Sequence, residues 1–113
     1  GAWVLHELDG AEVIGRAVLR HIVIEGIDDV EVGYAFYPQF WGRGLATEIS
    51  RACLDFARDR FGLDTVIAVT TPSNLASQNV LRKIGLTYER EVTLEGRVWF
   101  LFRTRFQAAN PTP

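Results

Sequence analysis

The 113-residue sequence contains one cysteine, one lysine and no methionine. Low counts of this kind exclude some classes of protein. A single thiol, Cys53, excludes a disulfide within the chain and suits a reducing compartment. No apolar run approaches the roughly 20 residues that a membrane-spanning helix requires. The eleven arginines are scattered and the net charge is −2. We therefore expect a cytoplasmic protein without nucleic-acid or membrane partners.

Other chemistries are also disfavoured by composition. No group of histidines and cysteines has the spacing of a metal site, so we expect no metal.

The chain is long enough for one domain with a hydrophobic core, since 48% of its residues are apolar. We place this domain at residues 1–107, followed by a frayed tail at 108–113. Because the sequence begins Gly-Ala-Trp-Val, we expect it to be processed, tagged or cut from a longer chain.

The most informative segment connects an apolar strand to an amphipathic helix through a turn that contains Gly42 and Gly44. Glycines allow a tight turn and leave the backbone N–H groups uncovered by side chains. The helix that follows adds unpaired amides and the positive end of its dipole, and Arg43 can add charge. This pattern is typical of a phosphate site, although a lone Gly-x-Gly more often only turns the chain.

Hydrophobic periodicity predicts the order β-β-β-α-β-α-β-β, an α+β fold with a mixed, mostly antiparallel sheet and two helices. Turns are predicted at Asp9-Gly10, at residues 26–29 and at Glu95-Gly96. Cys53 lies on the apolar stripe of the first helix, which indicates a buried structural thiol. The predicted strands are 3–8, 12–25, 30–37, 65–69, 88–94 and 98–106, and the predicted helices are 46–61 and 75–84.

Two motifs, in this order and with a strand between them, resemble the GNAT superfamily of acetyl-CoA-dependent N-acyltransferases. The first is Gly33-Tyr34 followed by PQFWGRGLATE at residues 38–48, and the second is NLASQNVLRKIGL at residues 74–86. The resemblance covers nearly the whole chain. Within the superfamily, it is closest to the branch that acetylates ribosomal-protein N-termini and related amines.

The resemblance implies a site for acetyl-CoA (coenzyme A). The family's pyrophosphate loop, Gln/Arg-x-x-Gly-x-Gly/Ala, is matched with Trp41 first, Gly44 fourth and Ala46 last. Gln39 begins a literal Gln-x-x-Gly-x-Gly, but that register starts two residues too early after Pro38. The implied cofactor-binding residues are Phe36, Tyr37, Trp41, Gly42, Arg43, Gly44, Leu45, Ala46, Thr47, Asn74 and Ser77.

In such enzymes the strand before the loop separates from its neighbour, and the pantetheine arm lies in the gap. Backbone groups around Ala35, Phe36 and Tyr37 would then pair with the arm, and an N–H near Phe36 or Tyr37 would polarise the thioester carbonyl. Asn74 and Ser77 would face the thiol end. Asn74 is equally well explained as a helix cap.

The resemblance implies direct attack by a neutral amine, which requires a base for the amine and an acid for the departing thiolate. Many relatives carry a tyrosine one position after the residue that matches Val80, and this position is Leu81 here. Ser77 is then the remaining proton donor. Glu31 and His21 are the candidate bases, and both residue types are also ordinary on strands.

Relatives begin with a strand and two helices that wall the acceptor side, and nothing in this sequence corresponds to them. We expect the acceptor pocket to be missing, rebuilt by a partner chain or lost from this chain. A sheet edge exposed by the absent strand predicts a homo-oligomer, of which a dimer is the simplest form.

Three functions follow from this pattern. The first is transfer of an acetyl group from acetyl-CoA to a primary amine, either a protein N-terminus or a small molecule. The second is a non-catalytic acyl-CoA-binding or regulatory remnant. The third, a dinucleotide-binding module based on Gly42, Gly44 and Asp64, is disfavoured because Thr47 takes the third glycine position. It is also disfavoured because a meander, rather than a βαβ unit, surrounds the turn.

Overall fold

Six strands form one mixed sheet in the computed structural model. The structure describes the backbone of residues 2–6, 13–36 and 44–106, and side chains within 15–35 and 44–106. The predicted α+β fold and element order are confirmed. The elements are β1 (Ala2–His6), β2 (Val13–Ile24), β3 (Ile27–Phe36), α1 (Leu45–Phe61), β4 (Thr65–Thr70), α2 (Leu75–Lys83), β5 (Thr87–Leu94) and β6 (Arg97–Arg105).

The strands lie in the order β1-β2-β3-β4-β6-β5. Four neighbouring pairs are antiparallel, and β3 and β4 are parallel. The parallel pair is a consequence of the connection, because α1 carries the chain back to the start of the sheet before β4 begins. The mixed, mostly antiparallel sheet is therefore as predicted.

The turn predicted at residues 26–29 is wrong. The chain reverses over Glu25 and Gly26 alone, whose φ angles are 51° and 78°, and β3 already starts at Ile27. Positive φ at both central residues is the pattern of a type I′ hairpin turn. Asp28 and Asp29, which have turn-forming character, are held in the strand by pairing with Val23 and Ile22. The Asp9-Gly10 turn and the tail at 108–113 lie outside the described residues.

Both helices pack on one face of the sheet. The buried side chains of α1 recur at helical spacing, and they include Cys53, which is buried as the sequence predicts. Burial raises the pKa of the Cys53 thiol, so this residue is a neutral part of the core. The buried core of this face consists of Ala17, Leu19, Val32, Cys53, Leu54, Ala57, Val66, Ala68, Leu81, Leu86 and Phe102.

A second apolar cluster lies on the opposite face. It consists of Ile24, Ile67, Val92 and Leu101, from four different strands. Side chains alternate between the faces of a strand, so β2, β4 and β6 each contribute apolar residues to both clusters. This explains the imperfect alternation of residues 12–25 in the sequence, because a strand buried on both faces does not show a polar side.

Next to this second apolar cluster, hydrogen bonds of Arg103 with Asp29, Thr65 and Glu89 join four strands; we call this group the Arg103 cluster. From β6, Arg103 makes two bonds to Asp29 of β3, with Nη1–Oδ1 at 2.7 Å and Nη2–Oδ2 at 2.9 Å. The same guanidinium donates to Thr65 Oγ1 of β4 at 2.9 Å and to Glu89 Oε1 of β5 at 2.8 Å. The side chains of Arg103 and Asp29 are 11% and 7% exposed. A bidentate pair this well shielded from water is stronger than an exposed one.

We predict that Asp29→Asn lowers the free energy of unfolding by about 3 kcal/mol, because it leaves a buried guanidinium short of its charged partner. Asp28→Asn is the matched control, because Asp28 is 71% exposed and its contact with His21 is 3.4 Å long. This control is expected to change the free energy by less than about 0.5 kcal/mol. Urea denaturation measures both, and equal losses would contradict the assigned role of Asp29.

Glu89 gives this cluster a dependence on pH. Its hydrogen bond with Arg103 holds the pKa of Glu89 below the ordinary value of 4.5. A carboxylate with a lowered folded-state pKa contributes stability above that ordinary value and loses it as the pH falls through the lower value. The melting-temperature difference between the wild type and Glu89→Gln should therefore be largest near neutral pH and shrink below about pH 4. A difference that grows on acidification would exclude this role, and Glu91→Gln, an exposed residue on the same strand, is the control.

Candidate functional site

A gap in the sheet opens between the parallel strands β3 and β4. The two strands are joined by one residue pair, Glu31 with Ile67. On their outer sides, both strands remain paired further along, as far as Phe36 with Gly15 and Thr70 with Phe100. Among the residues that the structure describes, 32–36 and 68–70 therefore have ladder partners on one side only. Their inner edges present backbone N–H and C=O groups to the gap, as the resemblance implied.

Both helices begin at the open end of this gap. Parallel strands bring their carboxyl ends to the same edge of a sheet, and α1 and α2 follow β3 and β4 in the chain. Each helix therefore begins at this edge, with its unpaired amides and the positive end of its dipole there. This is the part of the sheet where an elongated anionic ligand would be best accommodated.

Gly44 is the N-cap residue of α1, and its backbone has the left-handed conformation that glycine adopts readily. Its φ is 73°, and a Cβ added to it would meet nothing within 4 Å. The first helical bond is from Glu48 N to Gly44 O at 3.1 Å. The amides of Leu45, Ala46 and Thr47 precede that bond, and Gly44 has no side chain to cap them.

Four of the predicted cofactor residues, Tyr37, Trp41, Gly42 and Arg43, lie outside the described residues. The backbone of Phe36 ends β3 next to the gap, whereas its side chain is not described.

The start of α2 is held by two side chains. Asn74 Oδ1 accepts from Ser77 N at 3.1 Å, so Asn74 caps the helix, which was one of its two interpretations. Gln78 is 4% exposed, and its Nε2 donates to Thr71 O at 3.3 Å and Pro72 O at 3.0 Å. Gln78 was not predicted from the sequence. The signal was a polar residue three positions before Leu81, on the buried face of the helix.

Tyr34 carries a phenol on the helix face of β3, where it lies with Val30 and Val32 and is half-buried. Burial raises the pKa of Tyr34, and the interaction with Ser77 opposes part of this rise. The phenol therefore stays protonated at neutral pH. Leu81, at the position where many relatives have a tyrosine, is 1% exposed in the core.

The structure separates the two candidate bases. Glu31 is buried, accepts from Arg20 Nε at 2.8 Å and lies at the closed end of the gap. Three positions separate it from Tyr34 on the strand, so it lies on the opposite face and about 10 Å further along. His21 is exposed near the β2–β3 turn, and its nearest polar contact is Asp28. Of the two, Glu31 borders the gap, whereas His21 does not.

Membrane-spanning helices and metal clusters are both absent from the described residues. No helix in 2–6, 13–36 and 44–106 combines the length and apolar character needed to cross a membrane. Within the same ranges, no group of three or more histidine, cysteine, aspartate or glutamate residues is arranged to hold a metal ion.

Comparison with known proteins defines the family. Residues 1–87 match the family model described as "Acetyltransferase (GNAT) domain", and the chain therefore belongs to the GNAT acetyltransferase family. The match does not distinguish the ribosomal-protein branch from others.

Two relatives and one solved structure show how far the similarity extends. The chain is 32% identical over 90 residues to the uncharacterized protein YkkB of Bacillus subtilis, covering 80% of this chain and 52% of that protein. It is 39% identical over 61 residues to the FsC-acetyl coenzyme A-N(2)-transacetylase of Aspergillus fumigatus, covering 54% of this chain and 26% of that one. A GNAT-family acetyltransferase structure from Bordetella pertussis superimposes with a TM-score of 0.81 at 25% identity, covering 91% of this chain and 64% of that chain. The chain thus spans about half the length of YkkB.

Proposed function

We propose that this chain binds acetyl-CoA in the gap between β3 and β4 and transfers its acetyl group to a primary amine by direct attack. The observation that carries the proposal is the single residue pair between these strands, together with two helix N-termini at the open end. The name of the Aspergillus fumigatus relative states transfer from acetyl coenzyme A, which supports the same chemistry here.

The described residues fit the parts of this ligand. The inner edges of residues 32–36 and 68–70 offer strand-like pairing to the amide groups of a pantetheine arm. The amides of Leu45, Ala46 and Thr47 suit a diphosphate, because the N-cap residue Gly44 gives them no side-chain cap and they lie at the positive end of a 17-residue helix. We assign Trp41, Gly42 and Arg43 to the same diphosphate by the family's loop pattern. Tyr37 and Phe36 are assigned to the thioester end.

Acid and base are assigned to opposite faces of the gap. The bound donor supplies a thioester, whose cleavage leaves a thiolate. On the helix face, Ser77 donates a hydrogen bond and then a proton toward that sulfur, and the capped turn holds its backbone. On the opposite face, Glu31 receives the proton of the amine, directly or through water. This separation allows an amine to enter from one side while the thiol leaves on the other.

We also propose a class of acceptor, an oligomeric state and a cellular location. The acceptor is a protein N-terminus, as in the ribosomal-protein branch, or a small-molecule amine. β1 is an edge strand of the described sheet, which favours association into a homo-oligomer. The scarcity of cysteine supports a cytoplasmic location.

A non-catalytic acyl-CoA-binding role is the second candidate. Leu81 favours it, because an apolar core residue takes the place of the tyrosine acid that many relatives use. Both candidate functions include binding of acyl-CoA, whereas only the first includes transfer of the acyl group to an amine.

The test is therefore in two parts. Acetyl-CoA at about 100 times its dissociation constant should stabilise the folded chain by about 2.7 kcal/mol, measured as a rise in melting temperature. Release of free thiol on addition of amines, including N-terminal peptides and polyamines, then reports transfer. Binding without thiol release on any amine would favour the second candidate, and absence of binding would exclude both.

A glycine pair tests the location of the diphosphate. Gly44 and Gly62 flank α1 with φ of 73° and 63°, and at neither position would an added Cβ meet an atom within 4 Å. Alanine at either position should cost about 1 kcal/mol of stability through backbone strain. Calorimetry should show weaker coenzyme A binding, by about tenfold or 1.4 kcal/mol, for Gly44→Ala alone. Equal affinities of the two variants would place the diphosphate elsewhere.

A further inference from the structure

We propose that Arg20 is a positioning residue that acts through Glu31: its bond to one oxygen of the carboxylate leaves the other oxygen oriented for the attacking amine. This inference rests on the proposed function and adds a residue to which the sequence assigned no role. Arg20 lies on β2 and Glu31 on β3, where the two are direct ladder partners.

The geometry of the pair is the first support. Ladder partners on neighbouring antiparallel strands have their side chains on the same face of the sheet, so the two residues meet there. Arg20 Nε donates to Glu31 Oε1 at 2.8 Å, which is the length of a charge-assisted hydrogen bond. The Glu31 side chain is 9% exposed, whereas that of Arg20 is 59% exposed. Arg20 thus bonds a carboxylate that is almost shut off from water, where the loss of a partner is costly.

A comparison with Asp29 is the second support. Asp29 lies on the same face of β3, and Arg103 binds both of its carboxylate oxygens, at 2.7 Å and 2.9 Å. Arg103 is shared between Asp29 and Glu89, and the cation paired with Glu31 is Arg20. Among the described residues, the Glu31 carboxylate makes one hydrogen bond, and that bond is through Oε1. The Asp29 carboxylate is therefore bonded at both oxygens, whereas Glu31 keeps Oε2 for a ligand.

The position of Glu31 on its strand is the third support. Glu31 and Ile67 form the pair that joins β3 to β4, so the carboxylate lies where the gap begins. Side chains alternate along a strand, and the next two positions on this face of β3 are Gly33 and Ala35. Glycine has no side chain and alanine has a single methyl group. The strand therefore leaves a path along which an amine can approach Glu31 from the open end of the gap.

The bond from Arg20 also restricts the rotation of the carboxylate. The last side-chain torsion of a glutamate joins an sp³ carbon to an sp² carbon and has only broad preferences. A bond to Oε1 fixes this torsion and, with it, the direction of Oε2. A general base has to lie within hydrogen-bond reach of the proton that it removes, and a displacement of about 1 Å can cost a large factor in rate.

Protons and electrons balance in this step. The amine nitrogen forms a bond to the carbonyl carbon, the carbon–sulfur bond breaks, and its electron pair goes to sulfur. Glu31 Oε2 takes a proton from nitrogen, and Ser77 gives its hydroxyl proton to sulfur. Solvent then removes the proton from Glu31 and restores that of Ser77. Arg20 exchanges no proton, and nothing is oxidised or reduced.

The experiment compares Arg20→Gln, Arg20→Lys, Glu31→Gln and the double variant Arg20→Gln/Glu31→Gln in the full chain, using an amine that the wild type acetylates. We expect Glu31→Gln to lower kcat about 100-fold, as loss of a general base does. Arg20→Gln should lower kcat about tenfold and leave KM for acetyl-CoA within about twofold. Arg20→Lys should recover part of this loss, because an ammonium group can still donate to Oε1. The double variant should be no slower than Glu31→Gln, because Arg20 acts through Glu31.

Arg16→Gln is the matched control. Arg16 is an exposed arginine on the same face of β2 as Arg20, and its ladder partner is Ala35 rather than an acidic residue. Its replacement should change kcat by less than about twofold. Circular dichroism gives the folded fraction of every variant at the assay temperature, so that a loss of folded protein is separated from a loss of positioning.

Several outcomes would overturn the inference. They are an unchanged kcat in Arg20→Gln, an equal loss in Arg16→Gln, and losses that multiply in the double variant. A loss of kcat that matches the loss of folded protein in both Arg20 variants would also overturn it.

A second measurement needs no turnover. Crystal structures with bound coenzyme A should show one conformer of the Glu31 carboxylate in the wild type and several conformers in Arg20→Gln. The same single conformer in both proteins would contradict the inference. If the wild type binds coenzyme A but acetylates no amine, the proposed transfer fails, and this comparison still decides whether Arg20 orients Glu31.

Discussion

The ion pair between Arg103 and Asp29 lies where the two parallel strands of this sheet meet, and it bonds β3 to β6 across β4. Through Thr65 and Asp29, the guanidinium bonds the starts of β4 and β3, just before their single ladder pair at Glu31 and Ile67. Beyond this point, each strand follows its own antiparallel partner, and the right-handed twist of the sheet carries them in different directions. The gap is thus closed and charged at one end and open at the other. A gap of this kind depends on a rigid closed end, because further pairing between β3 and β4 would close the gap.

The two faces of the gap differ in character. On one face, the helices bring their N-termini and Ser77 to the open end. On the other face, Glu31 and Arg20 lie near the closed end, beside the Arg103 cluster. A ligand that lay in the gap would therefore meet the Ser77 hydroxyl on one side and a carboxylate on the other. The arrangement suits a reaction in which one proton is delivered and another is removed.

Much of the fold could be predicted because its signals are local. Alternation, helical periodicity and the Glu95-Gly96 turn each involve residues close in sequence, and they predicted the element order correctly. The wrong prediction at residues 26–29 shows where local signals fail. Aspartates favour turns, but Asp29 pairs within a strand, where its charge is balanced by Arg103. The Arg103 cluster joins positions 29, 65, 89 and 103, and no spacing rule links such distant residues. Gln78 was missed for a related reason, because its role depends on which neighbours the packing supplies.

The amino-acid order alone determined the chain's elements, the glycine at the start of α1 and the cap at the start of α2, since these depend on backbone geometry within a few residues. The membership in the GNAT family also follows from linear motifs. Only the tertiary structure decided that β3 and β4 separate after one pair and that Glu31 and Ser77 occupy opposite faces of the sheet. These features arise from sheet twist, side-chain burial and charge pairing between distant strands, which act only once the chain is folded.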